Sequence, residues 1–544
     1  MYIDTAFSTQ GGKTYRRYLL RESYREGGKV KHRTIANLSQ CSEAEIAAIK
    51  LALRHKGQLA QLGSLQDLHV QQGSRIGAVF SLKVAAQRLG LVRGLGGQRP
   101  GKLALWQVMA RLLAQGSRLS AVRLAERHAA ADILGLETFN EDHLYQNLAW
   151  LADHQEEIEQ RLFRQRYGAA PPQLFLYDVT SSYLEGCNNI LAAFGYNRDG
   201  KKGKQQLVIG LLTGPEGAPV AVRVFAGNTA DPKTVAEQIR TLAHGFGVSK
   251  VTLVGDRGML KLPQIEALQH HEFHYITAIT KSQIRQHLKT GAFQMHLFDQ
   301  KLAEVEIDNV RYILRRNPQR LIEMAQARQK KLESLNLRLT NKQQYLQEHP
   351  RANPDIARKK LVDYAKILKI DSWAKVTLND RTLALATDAA AWAHDTHLDG
   401  CYVLQTDVPG PSAPADLIHQ RYKDLAQVER AFRTFKNGHL EIRPTFVQTE
   451  ASTRGHVFVV MLAYLLEREL DHYWGHLNLT VSEALDELGS LRGVELTLGP
   501  AACQQVPRAT GLAQQLLTSA QITLPQALPL RRVHVATRKK LSKD

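Results

Sequence analysis

Residues 173–179 read Gln-Leu-Phe-Leu-Tyr-Asp-Val, directly after Pro171-Pro172, where the texture of the chain changes. A short apolar run bounded by turn-forming residues predicts a strand buried on both faces, here with one carboxylate, Asp178, near its end. A loop rich in Gly, Asn and Lys follows. Strands are then predicted at 206–212 and 218–225, separated by a turn at 214–217, so the first three strands form an antiparallel meander. Asp231-Pro232 starts a helix that runs to about residue 244, with Pro232 in its first turn. Beyond it, residues 249–254 form another short apolar strand ending in Gly255-Asp256-Arg257-Gly258. A helix at 262–269 leads to a fifth strand at 273–279.

Three antiparallel strands followed by alternating helix and strand are the order expected of an α/β, ribonuclease-H-like core. In such a core a mixed five-stranded sheet holds its first and fourth strands side by side. Asp178 and Asp256 each end one of those two strands, so two carboxylates are expected to converge. Alone in a site shielded from water they would repel and one would stay protonated, whereas a divalent cation uses both. Taken singly, each aspartate is an ordinary turn or helix-cap residue.

A second informative stretch spans residues 419–446. At 3.6 residues per turn, Leu425, Val428, Phe432 and Phe435 form an apolar stripe, and Tyr422, Glu429, Arg433 and Lys436 occupy the neighbouring face of one helix. By itself this is a surface helix in which Glu429 and Arg433 form an i,i+4 ion pair.

The chain of 544 residues is too long for one core and predicts two to four domains. Its 71 basic and 52 acidic residues leave a net charge of +19, which favours a polyanion, nucleic acid first, as partner. The longest apolar run, 457–466, is half of what a spanning helix needs, and Met1-Tyr2-Ile3-Asp4 opens no secretory signal. Cys41, Cys187, Cys401 and Cys503 stand far apart, with neither metal-site spacing nor a disulfide framework. A cytoplasmic, nucleoid-associated protein is expected.

The domains predicted are a basic β-hairpin region at 1–41, turning at Gly27-Gly28, and a helical DNA-binding or dimerisation domain at 42–170. The first part of the core follows at 171–280, an inserted domain with a helical hairpin at 281–400, the second part of the core at 401–500, and a basic tail at 501–544. In the insert, a hairpin is expected around Asp308-Asn309, and Trp373 is expected in a core.

Tyr-Asp-Val-Thr at Asp178, Val-Gly-Asp-Arg-Gly at Asp256, and the spacing Tyr422, Leu425, Glu429, Lys436 together resemble the DDE transposases of bacterial insertion sequences. The closer resemblance is to the IS-four superfamily, with its Tyr-x-x-Arg-x-x-x-Glu-x-x-x-x-x-x-Lys signature. It covers about 171–446. Leu425 stands where the signature has arginine, and Lys423 or Arg433 would supply that charge.

The resemblance implies a ribonuclease-H-like fold in which Asp178, Asp256 and Glu429 hold two Mg²⁺ or Mn²⁺ ions for in-line displacement at phosphorus. It implies cleavage of double-stranded DNA at terminal inverted repeats and joining of the 3′ ends to target DNA by a homodimer. Tyr422, Lys436 and Arg433 would touch DNA phosphates, joined by Lys201, Lys202 and Lys204 from the loop after the first strand. The alternatives are a nuclease that cuts without joining and an inactive DNA-binding derivative. Residues 195–202 nearly spell a P-loop, but Lys202 replaces the required Ser or Thr and a strand, not a helix, follows.

Overall fold

The computed structural model describes residues 1–57, 67–186, 188–437, 440–443, 447–498, 501–529, 531 and 533. Cys187, Phe446 and the tail residues Arg532, Arg538, Lys539, Lys540 and Lys543 lie outside the described residues. The chain forms two units.

One unit comprises Met1–Ser81, Glu126–Gly135 and Ala484–His534. Its first 37 residues are a three-stranded antiparallel sheet, Tyr2–Gln10, Lys13–Glu26 and Lys29–Asn37, rather than the single hairpin predicted. The overlooked turn is Gly11-Gly12, with φ of 62° and 79°, matching Gly27-Gly28 at 57° and 76°. Both φ values of such a two-residue turn are positive, which glycine adopts without a Cβ clash. Part of the basic charge here is met across strands, by Arg21 with Asp4 and Lys31 with Glu26, each at 2.7 Å.

Residues 501–529 are not tail. Strands Ala501–Gln505 and Ala527–Leu528 join Arg492–Leu498 and His69–Arg75 in a four-stranded antiparallel sheet. The helix Gly511–Ser519 lies between the two C-terminal strands in sequence. Pairing of His69–Arg75 with a strand more than 400 residues away leaves no local sequence signal.

The other unit holds the eight-stranded mixed sheet. Leu174–Tyr183 pairs antiparallel with Gln206–Thr213, which pairs with Pro219–Ala226; on its other side it runs parallel to Thr252–Gly255, itself parallel to His274–Ala278. Three further strands extend the five predicted. Cys401–Thr406 adds antiparallel to His274–Ala278, and the hairpin Ala303–Ile307 and Val310–Arg316 completes the edge. That hairpin turns at Asp308 and Asn309, with φ of 52° and 61°, as the sequence predicts. It was expected in a separate insert; burial of Ile313 and Leu314 against the sheet recruits it.

The long helices Pro318–Glu348 and Pro354–Leu368 pack with the hairpin Ala374–Asn379 and Thr382–Thr387 around their own core, where Trp373 is buried edge-on to Trp392 at 4.6 Å. The helix Glu450–Trp474 buries 457–466 against the helices Arg99–Leu113 and Glu141–Asp153 and the strand Pro219–Ala226. A Cβ on Gly455 would lie 2.0 Å from the Leu148 carbonyl oxygen, so glycine permits this close approach of helices. Among the described residues no helix is long and apolar enough to cross a membrane.

Candidate active site

The parallel pairing of the two central strands ends at Tyr177 opposite Gly255. Asp178 is the next residue of its strand and Asp256 the first residue past the end of the other, and this register brings the two carboxylates together beside the same end of the parallel pair. Asp178 is not at the end of its strand as predicted, because Leu174–Tyr183 continues along Gln206–Thr213 for five more residues. It lies where the parallel partner stops. Burial, then Asp256, then Glu429 push its carboxyl up to about 7, against the pull of the Val179 N–H and of Arg198. Two neighbouring negative charges therefore act on Asp178, the conflict foreseen for converging carboxylates.

Asp256 is exposed and sits in the turn after Thr252–Gly255. Its Oδ1 accepts the Arg257 N–H at 2.6 Å and the Tyr422 hydroxyl at 3.2 Å. Burial and Asp256 raise the Tyr422 phenol, so it remains a protonated donor.

The helix carrying Glu429 is not continuous with the one carrying Tyr422, contrary to the sequence expectation. Ala415–Lys423 stops at Asp424 and Leu425–Asn437 begins anew. The Gln427 N–H reaches only three residues back, to the Asp424 carbonyl, which tightens the chain at the joint. The predicted stripe Leu425, Val428, Phe432 and Phe435 is buried, and Phe435 meets Tyr464 edge-on at 5.4 Å. With that face on the sheet and the helix Glu450–Trp474, Glu429 and Arg433 are exposed. They form no ion pair with each other, and Glu429 makes no hydrogen bond among the described residues. The reading of this helix as an ion-paired surface element fails for that reason. Leu425, in place of the signature's arginine, belongs to the buried stripe, while Lys423 is exposed.

Lys436 is held by a residue the sequence reading passed over. Its Nζ lies 2.7 Å from Asp199 Oδ1, both side chains mostly buried. Asp199 also accepts the Tyr183 N–H at 3.3 Å, and the preceding Arg198 pairs with Asp231 at 2.5 Å. These contacts pin the loop between the first two core strands beside Asp178. Arg198 is the cation that acts on Asp178, and in the sequence it falls within the near-P-loop at 195–202. A charged Arg-Asp pair following Asn197, whose side chain accepts the Asp199 N–H at 2.9 Å, was the available signal. Lys201, Lys202 and Lys204 are exposed, and Lys201 stands 5.8 Å from the Tyr183 ring centre.

Among the described residues no three His, Cys, Asp or Glu side chains stand close enough together to hold one metal ion unaided. The set Asp178, Asp256 and Glu429 offers only carboxylate oxygen, the donor type of hard divalent cations. Such cations commonly take one or two carboxylates and complete their shell from water and substrate phosphate, so an open arrangement fits them.

Residues 170–466 match the family model described as "Transposase DDE domain", and residues 3–68 match "IS1634 family transposase, N-terminal domain". The chain is also similar to a solved chain in the cryo-EM structure of the piggyBac transposase synaptic complex with hairpin DNA. That similarity has 7% identity, a TM-score of 0.34, and covers 71% of this chain and 69% of the other. No curated protein matches the chain. The match at 170–466 spans more than half of the sequence and includes Asp178, Asp256 and Glu429. The chain belongs to the DDE transposases of insertion sequences.

Proposed function

We propose that this transposase cuts double-stranded DNA at terminal inverted repeats and joins the freed 3′ ends to target DNA, using Asp178, Asp256 and Glu429 around a divalent cation, Mg²⁺ or Mn²⁺. The observation that carries the reading is the convergence on Asp178: Asp256 follows the last register pair beside it, and the exposed Glu429, with no hydrogen bond or ion pair among the described residues, adds the third negative charge. A pair of such ions would stabilise charge on the attacking and leaving oxygens of an in-line displacement at phosphorus.

The chain's own groups supply position. Tyr422 holds Asp256 in one orientation by its hydrogen bond, and the Arg257 N–H fixes the same oxygen. Arg198, tied to Asp231, supplies positive charge beside Asp178. Arg433, Lys201, Lys202 and Lys204 present exposed cations for the DNA backbone, and Lys436 joins them when phosphate displaces Asp199.

The strand order around Leu174–Tyr183 supports a ribonuclease-H-like core, with Cys401–Thr406 and the Ala303–Arg316 region added at its edge. The helices of 42–170 serve DNA binding or dimerisation, the insert is the helical hairpin Pro318–Leu368 with the small sheet that packs on it, and the working form on DNA is a homodimer, since two ends must be held together. The protein acts in the cytoplasm at the nucleoid.

Incubation with a labelled transposon end and a supercoiled target tests the whole reading. Joined product is expected in the presence of Mg²⁺ or Mn²⁺. Cleavage without joining would make the protein a nuclease, and binding without cleavage an inactive derivative.

A further inference from the structure

In the second unit, a cavity of about 240 Å³ lies among the helices Arg99–Leu113, Arg118–Arg127, Glu141–Asp153 and Glu450–Trp474. Arg111 and Arg118 line it although only 7% and 5% of their surfaces are exposed. No carboxylate of the described residues pairs with either guanidinium. What they share is one acceptor, His456 Nδ1, 3.0 Å from Arg118 and 3.4 Å from Arg111. The other ring nitrogen, Nε2, is 3.2 Å from the Ile442 carbonyl oxygen and must donate to it, so Nδ1 carries the lone pair and the imidazole is neutral. Among the described residues the two buried cations therefore share one neutral acceptor, and the Glu441 carboxylate acts on Arg111 only from beyond ion-pair distance.

We propose that this cavity is a phosphate-binding pocket, filled in the working protein by a phosphate group of bound DNA. Buried charges are retained where something pairs with them, and two guanidinium forks offer the parallel N–H donors that phosphate oxygens accept. Burial lowers both arginines, Arg118 to about 9 and Arg111 to about 10, with Arg111 further depressing Arg118; an anion between them reverses that strain. Gly116 and Ser117 on the wall lead into Arg118, the first residue of the ten-residue helix Arg118–Arg127, whose N-terminal end carries partial positive charge. Glu441 also lines the cavity, but Arg443 takes its carboxylate. Gln115 and Gly116 are exposed and form the mouth.

The site is linked to the catalytic strand. Arg443, on the cavity wall, also bonds the Tyr183 hydroxyl at the end of Leu174–Tyr183. A phosphate held here would anchor the DNA backbone to the strand that carries Asp178, a contact separate from the carboxylates. That DNA supplies the phosphate rests on the function proposed above; that the pocket takes phosphate does not.

The full-length protein is melted in inorganic phosphate and in sodium chloride at matched ionic strength, wild type against Arg118→Gln. Phosphate is expected to raise the melting temperature of the wild type above its value in chloride, and to lose this effect in the variant. Equal melting of the wild type in both salts would overturn the pocket. In the second arm, binding to a duplex carrying the element's terminal repeat is followed against salt. Arg118→Gln is expected to bind about tenfold more weakly, with a slope of log K against log salt shallower by about one. Loss of the phosphate effect with unchanged DNA binding would overturn DNA as the source and leave a free phosphate as the ligand. Should Arg118→Gln fail to fold, Gln115→Glu places a negative charge at the mouth, leaves the buried pair intact and is expected to reduce both readouts; no change in either would overturn the proposal. The first arm contains no DNA, so it stands or falls independently of strand transfer.

Discussion

Lys436 is neutralised by Asp199, its Nζ 2.7 Å from Oδ1, across 237 residues of chain. A cation that is to hold DNA phosphate must leave this partner, so Asp199 sets how readily Lys436 is released. Asp199→Asn keeps an acceptor oxygen for the Tyr183 N–H and removes the competing charge. Tighter DNA binding is expected, with a salt slope steeper by about one phosphate contact. An unchanged slope in filter binding or anisotropy would remove Lys436 from the DNA contacts.

Tyr422→Phe deletes the hydroxyl that Asp256 accepts while leaving the ring in place. A hydrogen bond to a charged group contributes roughly 1.5–3 kcal/mol, so single-turnover nicking should slow by about ten- to a hundredfold. Thermal stability and DNA affinity should barely change. A fall in affinity equal to the fall in rate would instead make Tyr422 a DNA contact.

Glu429→Gln tests an exposed carboxylate that makes no hydrogen bond or ion pair among the described residues and adds negative charge beside Asp178. Nicking should drop by more than the roughly 10- to 100-fold that loss of an orienting group beside a metal costs, with folding intact. Chelation of divalent ions should abolish nicking by the wild type, and Mg²⁺ or Mn²⁺ should restore it. Metal-dependent nicking at the wild-type rate in Glu429→Gln would exclude this residue from the site.

Glu467, on the helix Glu450–Trp474, has one buried carboxylate oxygen without a hydrogen-bond partner among the described residues, and burial followed by Asp471 raises it to about 7 from 4.5. Its folded-state value lies above the unfolded one, so between these values the folded protein binds more protons than the unfolded chain. Stability contributed at low pH is therefore lost as pH rises from about 4.5 to about 7. Glu467→Gln should remove this slope and stabilise the protein at pH 8 by up to about 3 kcal/mol. Parallel melting curves for variant and wild type across that window would refute the assignment.

Gly455→Ala forces a methyl group against the Leu148 carbonyl, which lies 2.0 Å from the added carbon before any relaxation. Overpacking of this kind costs about 1–3 kcal/mol, and a denaturant midpoint lowered accordingly is expected. An unshifted midpoint would show that the two helices separate easily.

Much of the catalytic unit could be read from the chain alone, because its signals are local. Alternating and continuous apolar runs located the five central strands; the asparagine and aspartate turn at 308–309 and the stripe from Leu425 to Phe435 were equally clear. Asp178, Asp256 and Glu429 could be selected as candidates from their motifs and from the strand order. The N-terminal sheet was half legible: Gly27-Gly28 was recognised as a turn and Gly11-Gly12 was not, although both have the same conformation.

What only the tertiary structure decided lies in contacts between distant residues. The register ending at Tyr177 and Gly255, where one strand stops and the other runs on, places Asp178 beside Asp256. The break at Asp424 puts Tyr422 and Glu429 on separate helices, which helical periodicity does not reveal. Lys436 with Asp199, the two arginines around His456, and the strand His69–Arg75 beside Arg492–Leu498 each join segments hundreds of residues apart. Sequence periodicity reports which face of an element is apolar; it carries no information about which distant charge or strand that folding will bring against it.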